Sequence, residues 1–246
     1  GSHSYFMDGS PTIAESSNTK VLICGERRGG SNYYALDISN IDAPEYLYTR
    51  SVSGQSWKQP QYVNFPTSEE SSTESFLLTG GYDPDYDESV PDNPDGNSLI
   101  VIGATNNNLV KEFDQNTIDT MEHSIVSAFA ADMVDDGEDV VSHMYAGDMG
   151  GNMFAFRDNE TNGDWQSMRL FHSPGDAGKK IFEEADIVPE YVEYWDSEEQ
   201  TWVEVVGEYV FFGTGDRADP LGTNATNYFY CVKNDWHTGN LTRSSQ

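Results

Sequence analysis

Four copies of one pattern recur along the chain, and this repeat constrains the fold more than any other feature. Each copy is an apolar strand that ends at a Gly, then a loop, then an Asn that opens a second apolar strand. The glycines stand at positions 25, 80, 147 and 213, so successive copies lie 55, 67 and 66 residues apart. A repeat of that length holds about four short strands with their loops, as one blade of a β-propeller does.

The repeat predicts an all-β protein, a β-propeller of four or more four-stranded blades that need not form a complete ring. The apolar runs are rich in aromatic and β-branched residues, which is typical of strands buried between neighbouring blades. We expect each repeat Gly to lie where no Cβ fits, and each Asn to bind local backbone. A single domain over residues 1–246 follows, with repeats near 21–37, 76–101, 144–156 and 210–231.

An ordinary β-sandwich with similar hairpins is the alternative fold. Outside the repeats, residues 191–195 and 201–206 are two further apolar runs on either side of a polar segment. Their alternation predicts a β-hairpin that turns at 196–200.

The charge balance is extreme, with 42 Asp and Glu against 13 Lys and Arg, a formal net charge of −29. Such a surface repels nucleic-acid phosphates and anionic lipid headgroups and attracts cations. No apolar run approaches the length of a transmembrane helix. We therefore expect neither a nucleic-acid partner nor membrane insertion by this domain. The alternative explanation of the acidity is that it only keeps the protein soluble.

The first acidic loop lies inside the second repeat. It carries Asp83, Asp85 and Asp87 at alternate positions, which would set several oxygens on the inner side of a curved loop. It lacks the Gly and Glu positions of a full EF-hand loop, so a merely solvated loop is the alternative. We name it as a second candidate calcium site.

The second acidic loop, residues 132–139, is the main candidate calcium site. Asp132, Asp136 and Gly137 hold the first, fifth and sixth positions of an EF-type loop, where acids ligate and the chain turns. Val134 occupies the third position and offers no side-chain oxygen. The other candidate ligands of this loop are Asp135, Glu138 and Asp139. Crowded carboxylates repel one another, so a bound cation would order the loop, and an empty loop is the alternative.

No pattern in the chain indicates catalysis. Its five histidines show no zinc-binding spacing, and there is no G-x-S-x-G elbow. Carboxylate pairs of the glycosidase kind occur, but acids this frequent produce them by chance. The two cysteines, Cys24 and Cys231, form either one disulfide or two separate thiols.

Several ordered stretches resemble the C-terminal propeller of the PilY/PilC family of type IV pilus biogenesis and adhesion factors. The order and rough spacing of these stretches agree along nearly the whole chain. They lie at residues 5–11, 29–37, 54–60, 80–82, 145–156 and 210–215. The agreement is close over Tyr145 to Phe156, reading YAGDMGGNMFAF, and over residues 210–215. One departure is Asp216, where the family has a basic residue.

The resemblance implies a quinoprotein-like propeller that is exported to the pilus tip, the outer-membrane surface or the medium. It implies a non-catalytic role in pilus assembly and adhesion, with minor pilins or the pilus tip and a host or other surface as partners. The family's calcium loop precedes the YAGD stretch, which supports calcium at 132–139 and a switch between pilus extension and retraction. Related propellers are quinone-dependent dehydrogenases, so such an enzyme is the alternative function.

Overall fold

The computed structural model describes residues 6–15, 19–68, 71–87, 91–127, 129–134, 140–158, 164–173, 179–196, 201–217, 221–222 and 226–235. These residues form fifteen β-strands and two short 3-10 helices, Arg27–Gly29 and Pro84–Asp87. Within the same ranges, no helix has the length and apolar character needed to cross a bilayer.

The strands form four successive antiparallel meanders, which we call blades 1 to 4. Blade 1 contains β1 (Thr12–Glu15), β2 (Lys20–Gly25), β3 (Asn32–Asp37) and β4 (Glu45–Ser51). Blade 2 contains β5 (Gln61–Ser68), β6 (Ser71–Thr79), β7 (Leu99–Gly103) and β8 (Leu109–Phe113). Blade 3 contains β9 (Ala130–Val134), β10 (Val140–Gly147), β11 (Asn152–Asp158) and β12 (Trp165–His172). Blade 4 contains β13 (Asp186–Asp196), β14 (Thr201–Gly213) and β15 (Phe229–Asp235).

This arrangement is that of a β-propeller, as the repeat predicted. Each sequence repeat supplies the second and third strands of one blade. The predicted hairpin is the β13–β14 pair, which is in register from Asp186–Phe211 to Asp196–Thr201. Blades 1 to 3 have the predicted four strands, and blade 4 has three within the described residues. A single parallel pairing between Val140 and Asn64 also connects blades 2 and 3.

The hydrophobic core lies between the blades, because strand alternation sends apolar side chains to both faces of a blade. In β6, Phe76 and Leu78 pack against blade 1, whereas Leu77 packs against blade 3. All three side chains are at most 1% exposed. A third cluster joins blade 3 to blade 4 through Tyr145 and Phe212, among others. The β-sandwich alternative is therefore wrong, since a sandwich sheet buries one face only.

A fourth apolar cluster collects the loops at one end of the blades. It combines connections between second and third strands with the linkers between blades, and we call it the loop core. Trp57 and Tyr82 are in ring contact within it, with centroids 4.8 Å apart. Its members are Trp57, Tyr82, Tyr86, Val126, Met149 and Phe182. This cluster ties consecutive blades together at that end.

The two cysteines are separate thiols. Cys24 is buried in β2 and its Sγ lies 3.0 Å from the carbonyl oxygen of Gly9. Cys231 is exposed on β15. Of the two alternatives open from the sequence, the structure thus shows two unpaired sulfurs.

Candidate functional site

The first acidic loop, between β6 and β7, is organised by Asp83. This residue is only 6% exposed. Its Oδ1 accepts a hydrogen bond from the backbone N–H of Asp85, and its Oδ2 accepts one from that of Asp95, both at 2.9 Å. Asp85 is exposed, and Asp87 ends a 3-10 helix, its side chain lying outside the described residues. The Asp83 carboxylate therefore ties together the two halves of the loop.

The second acidic loop connects β9 to β10. Asp132 and Val134 belong to β9, where Val134 pairs with Val140 of β10. The side chains of residues 132–134 and the whole of 135–139, including Asp135, Asp136, Glu138 and Asp139, lie outside the described residues. The structure places the strands that flank this loop, and calcium binding there stays a prediction.

The two loops lie at opposite ends of their sheets. A connection between first and second strands, such as 135–139, leaves one end of an antiparallel meander, and a connection between second and third strands leaves the other. In the described ranges, no three or more His, Cys, Asp or Glu side chains are grouped so that they could share a metal ion. The two predicted calcium sites are therefore separate sites.

Asp148, directly after the repeat glycine of blade 3, is the most completely buried carboxylate at the end of the blades where the loop core lies. It is 0% exposed. Its Oδ1 accepts hydrogen bonds from the backbone N–H groups of Gly150 and Asn152 at 2.9 and 2.8 Å. Its Oδ2 accepts one from Nδ2 of Asn152 at 2.7 Å. Asn152 Oδ1 in turn lies 2.8 Å from Nδ1 of His172 on β12. We call the Asp148–Asn152 arrangement the carboxylate staple.

Blade 1 has the same staple. Glu26 follows the repeat glycine Gly25, and its Oε2 accepts hydrogen bonds from the backbone N–H and from Nδ2 of Asn32, at 2.9 and 3.0 Å. The hydroxyl of Tyr34 donates to the other oxygen at 3.1 Å. Glu26 is half-buried, whereas Asp148 is fully enclosed. The staple thus closes the loop between second and third strands in alternate blades.

Burial raises the pKa of Asp148 to about 7. The hydrogen bonds from Asn152 and Gly150 and the charge of Arg169 act in the opposite direction. Burial also raises the pKa of Tyr86, and the nearby Asp148 charge adds to that effect. Burial lowers the pKa of His123, whose Nδ1 lies 2.8 Å from the Tyr86 hydroxyl.

A buried lysine also belongs to the polar groups at the end of the blades where the loop core lies. Lys180, in the linker before β13, donates to Oδ2 of Asp216 at 2.5 Å and to the carbonyl oxygen of Tyr86 at 3.4 Å. Its side chain is 8% exposed. Asp216 is the position where the chain departs from the PilY/PilC pattern that it otherwise resembles, and here that acid pairs with the lysine. The contact joins the linker to blade 4 and to the β6–β7 loop.

A polar cleft of about 360 Å³ opens beside the first acidic loop. Residues 91–94 form one side, and Asn97, Gln115, Glu122 and His123 complete its lining. Its polar walls and two carboxylates suit a small polar or cationic molecule. Of the predicted ligands whose side chains the structure describes, Asp83 and Asp85 are not part of this lining.

Sequence reasoning missed the staple. It assigned the repeat Asn a bond to local backbone, whereas Asn32 and Asn152 donate to the acid that follows the repeat Gly. The signal was present, because Glu26 and Asp148 both directly follow that Gly. The blade 2 equivalent differs, since Asn97 donates to the carbonyl oxygen of Met121.

Comparison with known proteins finds matches among solved structures. No protein-family model and no curated protein sequence matches the chain. The C-terminal domain of PilY1 from Pseudomonas aeruginosa matches with a TM-score of 0.66 and 18% sequence identity. The match covers 96% of this chain and 50% of that domain, so the chain spans about half its length. Saccharomyces cerevisiae Sqt1 matches more loosely, with a TM-score of 0.42 and 8% identity over 93% of this chain and 58% of that one.

The PilY1 match agrees with the resemblance that the ordered sequence stretches carry. One of the two closely agreeing stretches, residues 145–156, contains the end of β10, the carboxylate staple and most of β11. Local motifs and overall shape therefore lead to the same propeller. This chain has the fold of about half of the PilY1 C-terminal domain.

Proposed function

We propose that this chain is an exported, non-catalytic binding domain of a type IV pilus-associated factor. The observation that carries the proposal is the match to the PilY1 C-terminal domain along 96% of the chain. The motif stretches occur in the same order as in the PilY/PilC family, which adds support from the sequence. Assembly with minor pilins at a pilus tip and adhesion to a surface are the roles that this likeness favours.

The end of the blades where the loop core lies supports a role in binding more than in catalysis. Its buried polar groups are engaged with one another, as the Lys180–Asp216 and Tyr86–His123 contacts illustrate. Such contacts hold loops in a fixed shape, and a fixed loop surface suits recognition of a partner. The acidic surface would favour partners that carry positive charge.

The pilus role is tested in the organism that encodes the chain. We expect removal of the gene to abolish surface pili or twitching motility, and we expect the wild-type gene to restore both. Immunogold labelling should place the protein at pilus tips or at the cell surface. Normal piliation and motility in the deletion strain, with the protein retained inside the cell, would contradict the proposal. A quinone absorbance band with alcohol oxidation would instead favour the dehydrogenase.

Calcium binding at 132–139 is the second part of the proposal. Carboxylates grouped in one short connection repel one another, and a divalent cation would supply the charge that lets them lie together. Asp132 and Asp136 would hold the ion, with Asp135, Glu138 and Asp139 as further candidate ligands. The ion would stabilise the β9–β10 hairpin at the end of blade 3 opposite the loop core.

We expect calcium to bind the whole chain in isothermal titration and to raise its melting temperature relative to EDTA. A ligand at 100 times its dissociation constant stabilises the folded state by about 2.7 kcal/mol. Asp132→Ala and Asp136→Ala should weaken binding, whereas Asp42→Ala, an exposed acid in the β3–β4 connection, should not. If all three variants bind calcium with equal affinity, residues 132–139 do not form this site. A loss of calcium binding in Asp83→Ala would instead assign the ion to the β6–β7 loop.

A further inference from the structure

A second polar cleft, of about 590 Å³, opens between blades 2 and 3. Residues 115–120, at the start of the linker after β8, form its first wall, and Ser167, Met168 and Arg169 of β12 form the second. Its volume lies within the range of about 300–1,000 Å³ that small-molecule sites occupy. Blades 2 and 3 each pack against a neighbouring blade on both sides, so both walls are complete within this chain.

The first wall is a turn that the core holds in place. Oδ1 of Asp114 accepts hydrogen bonds from the backbone N–H groups of Asn116 and Thr117, at 2.9 and 3.2 Å. Nδ2 of Asn116 donates to the other carboxylate oxygen at 2.7 Å. Ile118 then packs in the apolar cluster between blades 2 and 3 and is 7% exposed. The turn therefore presents its polar side chains from a fixed backbone.

The second wall carries a cation. Arg169 of β12 pairs with Phe154 of β11, and Ser167 pairs with Phe156. Residues directly opposite each other on antiparallel strands share one face of the sheet. Both phenylalanines belong to the cluster between blades 2 and 3. Arg169 and Ser167 therefore lie on the blade 2 side of blade 3, across the cleft from the turn.

Arg169 has no carboxylate partner among the described residues. It is half-buried, and no described carboxylate lies within ion-pair distance of its guanidinium, not even that of Asp119 in the first wall. Its charge acts on the pKa of Asp148, but the carboxylate staple already engages both oxygens of that acid. Oγ1 of Thr120, also in the lining, is enclosed and lacks a hydrogen-bond partner. A partly desolvated cation and an unpaired hydroxyl both gain from a ligand.

We propose that this cleft binds a hexuronic acid, either free or as one unit of an acidic polysaccharide, with the sugar carboxylate on Arg169. A guanidinium binds a carboxylate through two parallel N–H···O bonds, a geometry that a half-buried arginine with no other partner can offer. The side chains of Ser167, Asn116 and Asp119 supply oxygens for the sugar hydroxyls. Little of the lining is apolar, so a polyol fits this cleft better than a peptide with large apolar side chains does.

The cleft is an exception on a strongly acidic chain. The formal net charge of −29 repels anions at long range, so the sugar carboxylate is held by short-range contact with Arg169. Salt screens the long-range repulsion more than it screens a contact in a half-buried cleft. We therefore expect the affinity to hold or rise with salt, whereas loose attraction of anions to surface lysines would fall. The inference goes beyond the proposed pilus role and does not depend on it.

Isothermal titration of the purified chain with D-galacturonate, D-galactose and acetate tests the site. Galactose has the same ring without the carboxylate, and acetate has the carboxylate without the ring. We expect galacturonate to bind about 10-fold or more tightly than either, and Arg169→Gln to remove that advantage, the effect of losing a charge-assisted contact. Ser167→Tyr, which fills the cleft from β12, should abolish binding. Arg50→Gln, on β4 of blade 1, is the control and should bind as the wild type does.

Trigalacturonate distinguishes the two sources of the ligand. Binding at least as tight as that of the monomer indicates a polysaccharide, and binding of the monomer alone indicates a free sugar acid. Circular dichroism and melting temperatures check the folding of each variant, and Ser167→Tyr keeps the test decisive if Arg169→Gln does not fold. Equal affinity for galacturonate and acetate, or no binding of galacturonate up to the millimolar range, would overturn the proposal. So would wild-type affinity in a folded Arg169→Gln or Ser167→Tyr variant.

Discussion

Replacing Asp148 by Ala is expected to destabilise the fold by about 3 kcal/mol or more at neutral pH. The substitution leaves three donors of the carboxylate staple unsatisfied in a fully buried site, and each buried unsatisfied group costs about 1–3 kcal/mol. The donors are the backbone N–H groups of Gly150 and Asn152 and the Asn152 amide. Chemical denaturation of the variant and of the wild type measures the difference.

Glu26→Ala is the matched control, because Glu26 makes the equivalent staple in blade 1 but is half-buried. Water can reach the donors that this substitution releases, so we expect a loss of about 1 kcal/mol. Equal losses in the two variants would mean that burial of the staple is not what makes Asp148 important.

The same carboxylate predicts a pH dependence with a definite sign. The pKa of Asp148 is about 7 in the folded protein against an ordinary value of 3.8. Between these values the folded state binds the proton more tightly than the unfolded state does. The contribution of Asp148 to the free energy of unfolding is therefore fully present below about pH 4 and is lost as the pH rises toward 7. Relative to Asp148→Asn, the wild type should lose at most about 1.4 kcal/mol per pH unit in that window. A difference between the two that is flat from pH 4 to 7 would contradict the raised pKa.

Gly147→Ala is expected to destabilise the protein by about 1–3 kcal/mol, the usual cost of overpacking a well-packed site. A Cβ at this position would lie 2.3 Å from Cγ2 and 2.6 Å from Cβ of Ile181. Ile181 is 0% exposed and belongs to the cluster between blades 3 and 4, so it has little room to move. Thermal and chemical unfolding should both detect the loss.

Gly213→Ala is the matched substitution in the last repeat. The nearest atom to its added Cβ would be the carbonyl oxygen of Tyr228, at 3.9 Å, an ordinary contact. Since Ala restricts the unfolded chain more than Gly does, we expect no loss or a gain of up to about 1 kcal/mol. Similar losses at positions 147 and 213 would show that the repeat glycine acts through its backbone and not through the approach of a neighbouring linker.

The blade pattern was predictable from the sequence because it depends on local periodicity. Alternating apolar residues over short runs, each ended by Gly and restarted by Asn, indicated the second and third strands of each blade. Alternation also predicted the β13–β14 hairpin. These signals lie within about a dozen residues of one another, and strand pairing between chain neighbours preserves them.

The candidate site was less predictable because it depends on which distant segments meet. Asp83 stays a predicted metal ligand from the sequence, and only the structure shows that its carboxylate also accepts hydrogen bonds from the N–H groups of Asp85 and Asp95. Asp216 was read only as a departure from a family pattern, but it pairs with Lys180, a residue 36 positions away. Calcium at residues 132–139 remains a prediction from the spacing of acids and from family likeness.

By itself, the sequence determined that this chain forms successive blades, since hydrogen-bonding turns and strand alternation are encoded locally. Only the tertiary structure decided at which copies of the repeat the glycine is crowded and the strand face is covered by a neighbour. Gly147 is crowded by a linker and Gly213 is not; Met153 is covered and its counterpart Phe229 is open. The physical reason is that close packing joins residues far apart in the chain, and a pattern read along the chain contains no distances between them.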